Sequence, residues 1–310
     1  MCEVCENIVV NSGYDPTRTT VLRNNYVRES NRRFDYVAAE IRKAVDVEDV
    51  FGLRKPTVFQ TPGKEAFYFM TMPEKVEEFM RWLDELIARG ILEVRELPRS
   101  GESIYEAWHN KYLFDSYKRG VQRARDELIH AGYKVPTIEQ TGGIAISMST
   151  PFHIESIGMI YIRAYNELKG ITNAMAQMIS RVLAQGMADG DNPRLIARKL
   201  VSVINGSGMG DLGITDTLGR FIPAKRRAEI MARTEMTRAH HVANVQEYKN
   251  WAAEGFEVKA ELITAGDSRV CPICSGLEGK IYKLEEIENL IPVHPQCRCV
   301  VVPLPLEPKK

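Results

Sequence analysis

The stretch Val270-Cys271-Pro272-Ile273-Cys274, followed at residues 294–299 by His294-Pro295-Gln296-Cys297-Arg298-Cys299, decides how the rest of the chain is read. Two short turns each present a pair of soft donors, and the residues between them are long enough to double back and bring the pairs together. Tetrahedral zinc takes four such donors, thiolate or imidazole, at this kind of spacing. Five candidates, Cys271, Cys274, His294, Cys297 and Cys299, compete for four places. Cys297 repeats the ligand-x-x-ligand geometry of the first pair and is preferred as the fourth donor. Cys299 points to the same side if the segment is extended, so that choice stays open. Ordinary reduced core thiols are the competing reading. Four protein donors close the coordination sphere, which makes a structural zinc the expectation rather than a catalytic one.

The remaining cysteines, Cys2 and Cys5, form a pair at the amino terminus without an obvious local partner, and none lies between Cys5 and Cys271. A secreted disulfide framework would spread its cysteines through the chain, whereas metal ligands come in close pairs. Forty-one Lys plus Arg balance forty-one Asp plus Glu. A protein that coats nucleic acid over its whole surface would be strongly basic, so that class is disfavoured. No apolar run is long enough for a membrane helix, and no basic-then-apolar secretory leader opens the sequence. A cytosolic, non-membrane protein is expected.

Working back from the cluster, Glu257–Thr264 alternates polar and apolar residues as a half-buried strand does. Lys280–Tyr282 and Val300–Leu304 read as two further strands. Upstream, a long helix is expected over Ala224–Ala253, ended by Gly255. On its projection Met231, Ala232, Met236, Ala239, Val242 and Ala243 share an arc that includes Glu235. A carboxylate there needs a partner, and Arg238, one turn on, is the expected one, with Arg233 beside it. His240 and His241 fall on the side expected to face solvent. Lys225, Arg226 and Arg227 at the helix start are candidate phosphate or DNA contacts. Leu168, Ile171, Met175, Met178, Ile179, Val182 and Leu183 step by three and four along another helix. Asn192 and Pro193 then read as cap and first residue of the next. GSGMGDLG from Gly206 reads as a loop without the lysine of a P-loop.

Nearer the amino terminus, Phe34, Val37, Ile41 and Val45 mark a helix, and Pro73 opens another through Phe79, Leu83 and Ile87. Phe51–Pro62 reads as a connector, and Phe67–Met70 as an apolar run of undecided type. A third helix is expected from Ile104 to about His130. His109, His130 and His153 carry no partner motif. Residues 134–160, poor in charge and rich in Thr, Ser and Gly, read as a linker or extended segment. The expected fold class is mainly α with a small carboxyl-terminal α+β module stapled by zinc. The expected divisions are a helical region 1–133, the linker 134–160, a helical body 161–255, the zinc module 256–304 and a tail 305–310.

These residues bear a family resemblance. ARTEMTRAHHVAN, then Thr264, Asp267, Arg269, Val270, Cys271, Cys274, Leu277, Gly279 and Lys280, then HPQCRC, resemble the phage Mu F-like minor head proteins, also called head morphogenesis proteins. The likeness covers roughly residues 160–304. It implies a non-enzymatic minor capsid protein of a tailed bacteriophage, made in the host cytoplasm and held in the virion head interior. Portal protein, capsid or scaffold proteins and phage DNA are the implied partners, and head morphogenesis and DNA packaging or ejection the implied roles. Carried over by position, Arg233, Thr234 and Glu235 are the helix signature, Asp267 belongs to the loop signature, and the five Cys and His residues are the metal cluster. Extra toxin or enzyme domains carried by some relatives are not expected in a chain that stops at Lys310. Two other classes compete: a metal-dependent nuclease of the His-Asn-His type, and a zinc-containing DNA-binding protein acting through the helix start near Lys225.

Overall fold

The computed structural model describes residues 15–53, 72–99, 102–206 and 222–305. It is mainly helical, with a small strand-containing region near the carboxyl terminus. No helix among the described residues is long and apolar enough to cross a membrane. The chain divides into two compact units that interleave in sequence. One comprises Met1–Tyr26, His109–Ala164 and Ile230–Lys310; the other comprises Val27–Trp108 and Tyr165–Glu229.

The second of these units is built on apolar periodicity. Helix α1 (Thr20–Arg42) runs into a single π-turn over Lys43–Val47, and Phe34, Val37, Ile41 and Val45 are all fully buried. Helix α2 (Met72–Gly90) buries Phe79, Leu83, Leu86 and Ile87, with the Phe79 ring against Phe51 and Trp82. A hairpin follows, β1 (Val94–Arg99) antiparallel to β2 (Glu102–Ala107) with Leu97 opposite Ile104. The helix expected from Ile104 therefore begins later, as α3 (Asn110–His130). Ser100-Gly101 between the two strands is a turn signal that a helical reading passes over. The connector residues 54–62, the run Phe67–Met70 and most of the loop 206–213 lie outside the described residues.

After α3 comes one helical turn, α4 (Ile144–Ser147), and then the long helix α5 (Pro151–Ala188). The segment expected to be a linker up to residue 160 is thus helical from Pro151, a residue suited to a first helical position. The buried stripe on α5 runs back through Leu168, Ala164 and Ile160 to His153, and a histidine at its head breaks the apolar pattern. Ahead of α4 the chain is irregular but packed, with Val135 and Ile138 buried and Thr137 and Gln140 bonding reciprocally. Helix α6 (Pro193–Asn205) starts as expected: the Asn192 side chain accepts from Leu195 N at 2.9 Å, and Pro193 takes the first position. Gly206, at φ 76°, ends it in the left-handed region that glycine tolerates.

The first unit centres on helix α7 (Ala224–Ala253), whose bounds are those expected. It crosses α3 so closely that a Cβ on Gly120 would lie 2.5 Å from the His240 carbonyl and 2.6 Å from Ala243 Cβ. Beyond it lies a three-stranded antiparallel sheet of β3 (Lys259–Ile263), β4 (Ile281–Lys283) and β5 (Val300–Pro303), in the order β4-β3-β5. Ala260 pairs with Tyr282 on one side and Pro303 on the other. The alternation seen in sequence holds in space, since Ala260 and Leu262 are buried and their neighbours are not. Two single turns, α8 (Pro272–Ser275) and α9 (Leu284–Ile287), complete the module. Its core joins Leu262, Leu284, Ile287 and Val301 to Leu128, Val245 and Tyr248 of the helices.

Candidate metal centre

Cys271 caps α8. Its sulfur accepts from Cys274 N at 3.4 Å, and Pro272 fixes the first helical φ. One turn therefore holds both thiols of the first pair on the same side. The second set sits on an irregular stretch that enters β5. There Gln296 adopts φ 64°, a conformation that strains a residue with a side chain. Helix α7 holds this stretch in place. Gln296 N donates to Thr234 Oγ1 at 3.0 Å and Thr237 Oγ1 donates to the Cys297 carbonyl at 2.9 Å, while His241 Nε2 holds the nearby turn α9 by donating to the Ile287 carbonyl at 2.7 Å. Residues 234, 237 and 241 lie three and four apart on one face. The helix signature and the cysteine motif are thus two sides of one contact.

The five predicted donors form two overlapping groups that could hold a metal ion, Cys271 with Cys274 and His294, and Cys274 with Cys297 and Cys299. Within each group the donor atoms lie no more than 4.8 Å apart. His294 Nε2 is 3.3 Å from Cys271 Sγ and 3.1 Å from Cys274 Sγ. Its Nδ1 lies 2.8 Å from the Pro295 carbonyl, which can only accept, so Nδ1 carries the proton and Nε2 turns its lone pair to the sulfurs. That is the tautomer a metal ligand needs. A cleft of about 30 Å³ is walled by Cys271, Cys274, His294 and Cys299, with Arg269 and Arg298 at its margin.

Four thiols this close cannot all ionise unaided. Burial pushes Cys274 up to about 12, and the neighbouring Cys297 sulfur and burial raise Cys299. The Cys274 backbone N–H lowers Cys271, and hydrogen bonding from Cys299 lowers Cys297. A divalent cation supplies the positive charge that lets all the donors be thiolates. The donor set therefore fits zinc in both softness and number.

Asp267 ties the two halves of the centre together. Arg298 NH1 and NH2 reach its carboxylate at 2.7 and 2.6 Å, and Arg269 adds contacts through Nε, NH2 and backbone N. Arg298 and then Arg269 hold the Asp267 carboxyl far below the usual carboxylate range. Sequence reading singled out Asp267 but missed Arg298, whose only signal was its place between two candidate ligands.

Glu235 is buried as expected and takes the expected Arg238 at 3.3 Å, together with Arg163 at 3.3 Å, which the sequence did not suggest. His240 and His241 are not at the surface; they are 1% and 2% exposed. Helix α7 is packed on nearly every side, so the arc opposite Met231 and Ala243 has no solvent to face. Of the basic residues at its start, Lys225 pairs with Asp35 and Arg226 with Glu229, both at 2.7 Å.

His153, which seemed isolated, joins a buried polar network. Its Nδ1 lies 2.8 Å from the Tyr117 hydroxyl and its Nε2 3.5 Å from Glu247, which Arg125 and Trp251 Nε1 also engage. Burial pushes the Glu247 carboxyl up, but His153, Arg125 and Trp251 together pull it below its ordinary range. The participants come from three helices, and no local spacing connects them.

The geometry agrees with what the sequence matches. Residues 177–302 match the family model described as Phage Mu protein F like protein. No curated protein and no solved structure matches the chain. The Mu F-like segment takes in α6, α7, strands β3 and β4, β5 up to Val302 and every candidate ligand, so the centre and the helix that holds it lie inside the matched residues.

Proposed function

We propose that this protein is a minor head protein of a tailed bacteriophage that acts in head morphogenesis, associates with the portal in the head interior and is braced by a structural zinc. The Mu F-like match over the α7–metal-loop unit carries this reading, because that unit holds both the helix signature and the ligands. Cys271, Cys274, His294 and Cys299 are proposed as the ligands. Cys299 takes preference over Cys297 on the support of the cleft, which it lines and Cys297 does not. When bound, zinc would cross-link the two ligand-bearing segments of a module too small to hold itself by apolar burial alone.

Roles in DNA packaging or ejection, and contact with capsid or scaffold, belong to the same proposal. The nuclease alternative lacks comparable support, since His294, the histidine it needs, faces two thiols. Mass spectrometry of gradient-purified mature particles tests the reading. The chain is expected in particles and in complexes captured on the portal. Recovery only as free protein from infected cells contradicts it.

A further inference from the structure

The centre offers five donors where a tetrahedral ion takes four. With Cys271, Cys274, His294 and Cys299 as ligands, Cys297 is left over, and its sulfur lies no more than 4.8 Å from those of Cys274 and Cys299. Cys297 is 1% exposed, so solvent does not reach it directly. Thr237 bonds its carbonyl, and helix α7 thereby keeps the spare thiol against the centre. Cys274 belongs to both donor groups, with Cys271 and His294 on one side and Cys297 on the other. It also lines the cleft, whose volume of about 30 Å³ admits a molecule of the size of water. Hydrogen peroxide is little larger.

We propose that Cys274 and Cys297 form an oxidation site, in which a peroxide entering the cleft attacks at Cys274 and Cys297 is the thiol that resolves it into a disulfide. The proposal rests on the four-ligand zinc reading. The Cys274 thiolate attacks one peroxide oxygen; an S–O bond forms, the O–O bond breaks and hydroxide departs. Cys271 and Cys299 are still committed as ligands, which leaves Cys297 as the unligated thiol of the cluster within reach. Its sulfur attacks the Cys274 sulfenic acid; the S–S bond forms, the S–O bond breaks, and the Cys297 proton leaves with the oxygen as water. The two sulfurs supply the two electrons that reduce the peroxide. The site loses a donor and releases its ion, while the new bond cross-links α8 to the segment entering β5 in the ion's place. A thiol reductant reverses the chemistry.

The test treats full-length, zinc-loaded protein with a few equivalents of hydrogen peroxide. Released zinc is read with a chromogenic chelator, and disulfides are mapped by non-reducing peptide mass spectrometry. Loss of the bound zinc is expected together with a peptide pair linked between Cys274 and Cys297, and dithiothreitol with added zinc is expected to restore most of the metal. Cys297→Ser is expected to hold zinc beforehand, to form no such link and to carry Cys274 on to the sulfinic acid, so the zinc regained after dithiothreitol falls severalfold. A principal disulfide between Cys271 and Cys274, or between Cys297 and Cys299, overturns the proposal. So does a Cys297→Ser protein that regains its zinc as fully as the unaltered chain. Metal analysis before oxidation separates the two readings. Protein that never holds zinc sinks the zinc reading and this proposal with it, whereas zinc-bound protein that forms no bond between Cys274 and Cys297 sinks this proposal alone.

Discussion

Among the candidate ligands, Cys297 and Cys299 are separated by one residue and differ in their surroundings. Cys299 lines the cleft with Cys271, Cys274 and His294, while the Cys297 carbonyl is bonded from Thr237. Cys299→Ser is therefore expected to abolish stoichiometric zinc, and Cys297→Ser to retain it; the reverse pattern by metal analysis would restore the choice that spacing suggested. The buried histidines make a second test. Burial lowers His241 to about 4 and His240 well below its ordinary value, so the folded protein excludes protons that the unfolded chain takes up below about 6.5. Stability is then intact above that pH and declines as pH falls toward 4. For His241 the loss is about 3 kcal/mol, at roughly 1.4 kcal/mol per pKa unit. Urea denaturation from pH 7.5 to 4.5 should show this slope, and His241→Gln should flatten it. Glu247 is costly to truncate, because Glu247→Ala leaves buried Arg125 without its carboxylate. A destabilisation of about 3–5 kcal/mol is expected, and a value under about 1 kcal/mol would mean the network is hydrated.

At the scale of elements, helices with one buried stripe were legible and those without one were not. Phe34 to Val45 and Leu168 to Leu183 kept helical spacing because each packs on one side only, and Asn192-Pro193 announced α6 through its own capping chemistry. Helix α7 showed its ends but not its faces. It is packed on most sides, and Thr237, His240, His241, Asn244 and Glu247 are as buried as Ala232, Ala239 and Ala243. Strand β2 was lost because Ile104 and Tyr105 sit beside a true helix, and the start of α5 because its inner stripe opens with a histidine while its outer side is apolar. The Cys/His cluster that could hold a metal is the most legible feature, since its spacing is local; the network around Glu247 is invisible in sequence, since it is assembled from three helices. The crossing of α3 and α7 also depends on one atom that is missing. Gly120→Ala puts a Cβ against a backbone carbonyl that cannot rotate away, so a loss of about 1–3 kcal/mol is expected in thermal or urea unfolding. An unchanged midpoint would show that the two helices separate freely.

At the scale of the whole molecule, the family-matched segment brings the Arg233–Glu235 helix signature and the cysteine motif into one fold unit. Helix α7 grips the segment around Gln296 and Cys297 through Thr234 and Thr237, and a bound metal would lock that segment to the turn at Cys271. On this view the carboxyl-terminal sheet is only as stable as the centre beside it. Elemental analysis of the purified full-length protein, paired with amide exchange across β3 and β5 before and after chelation, tests this most directly. One zinc per chain is predicted, with protection at Leu262 and Val301 lost on its removal. Protein that carries no metal and yet keeps those amides protected would contradict the account.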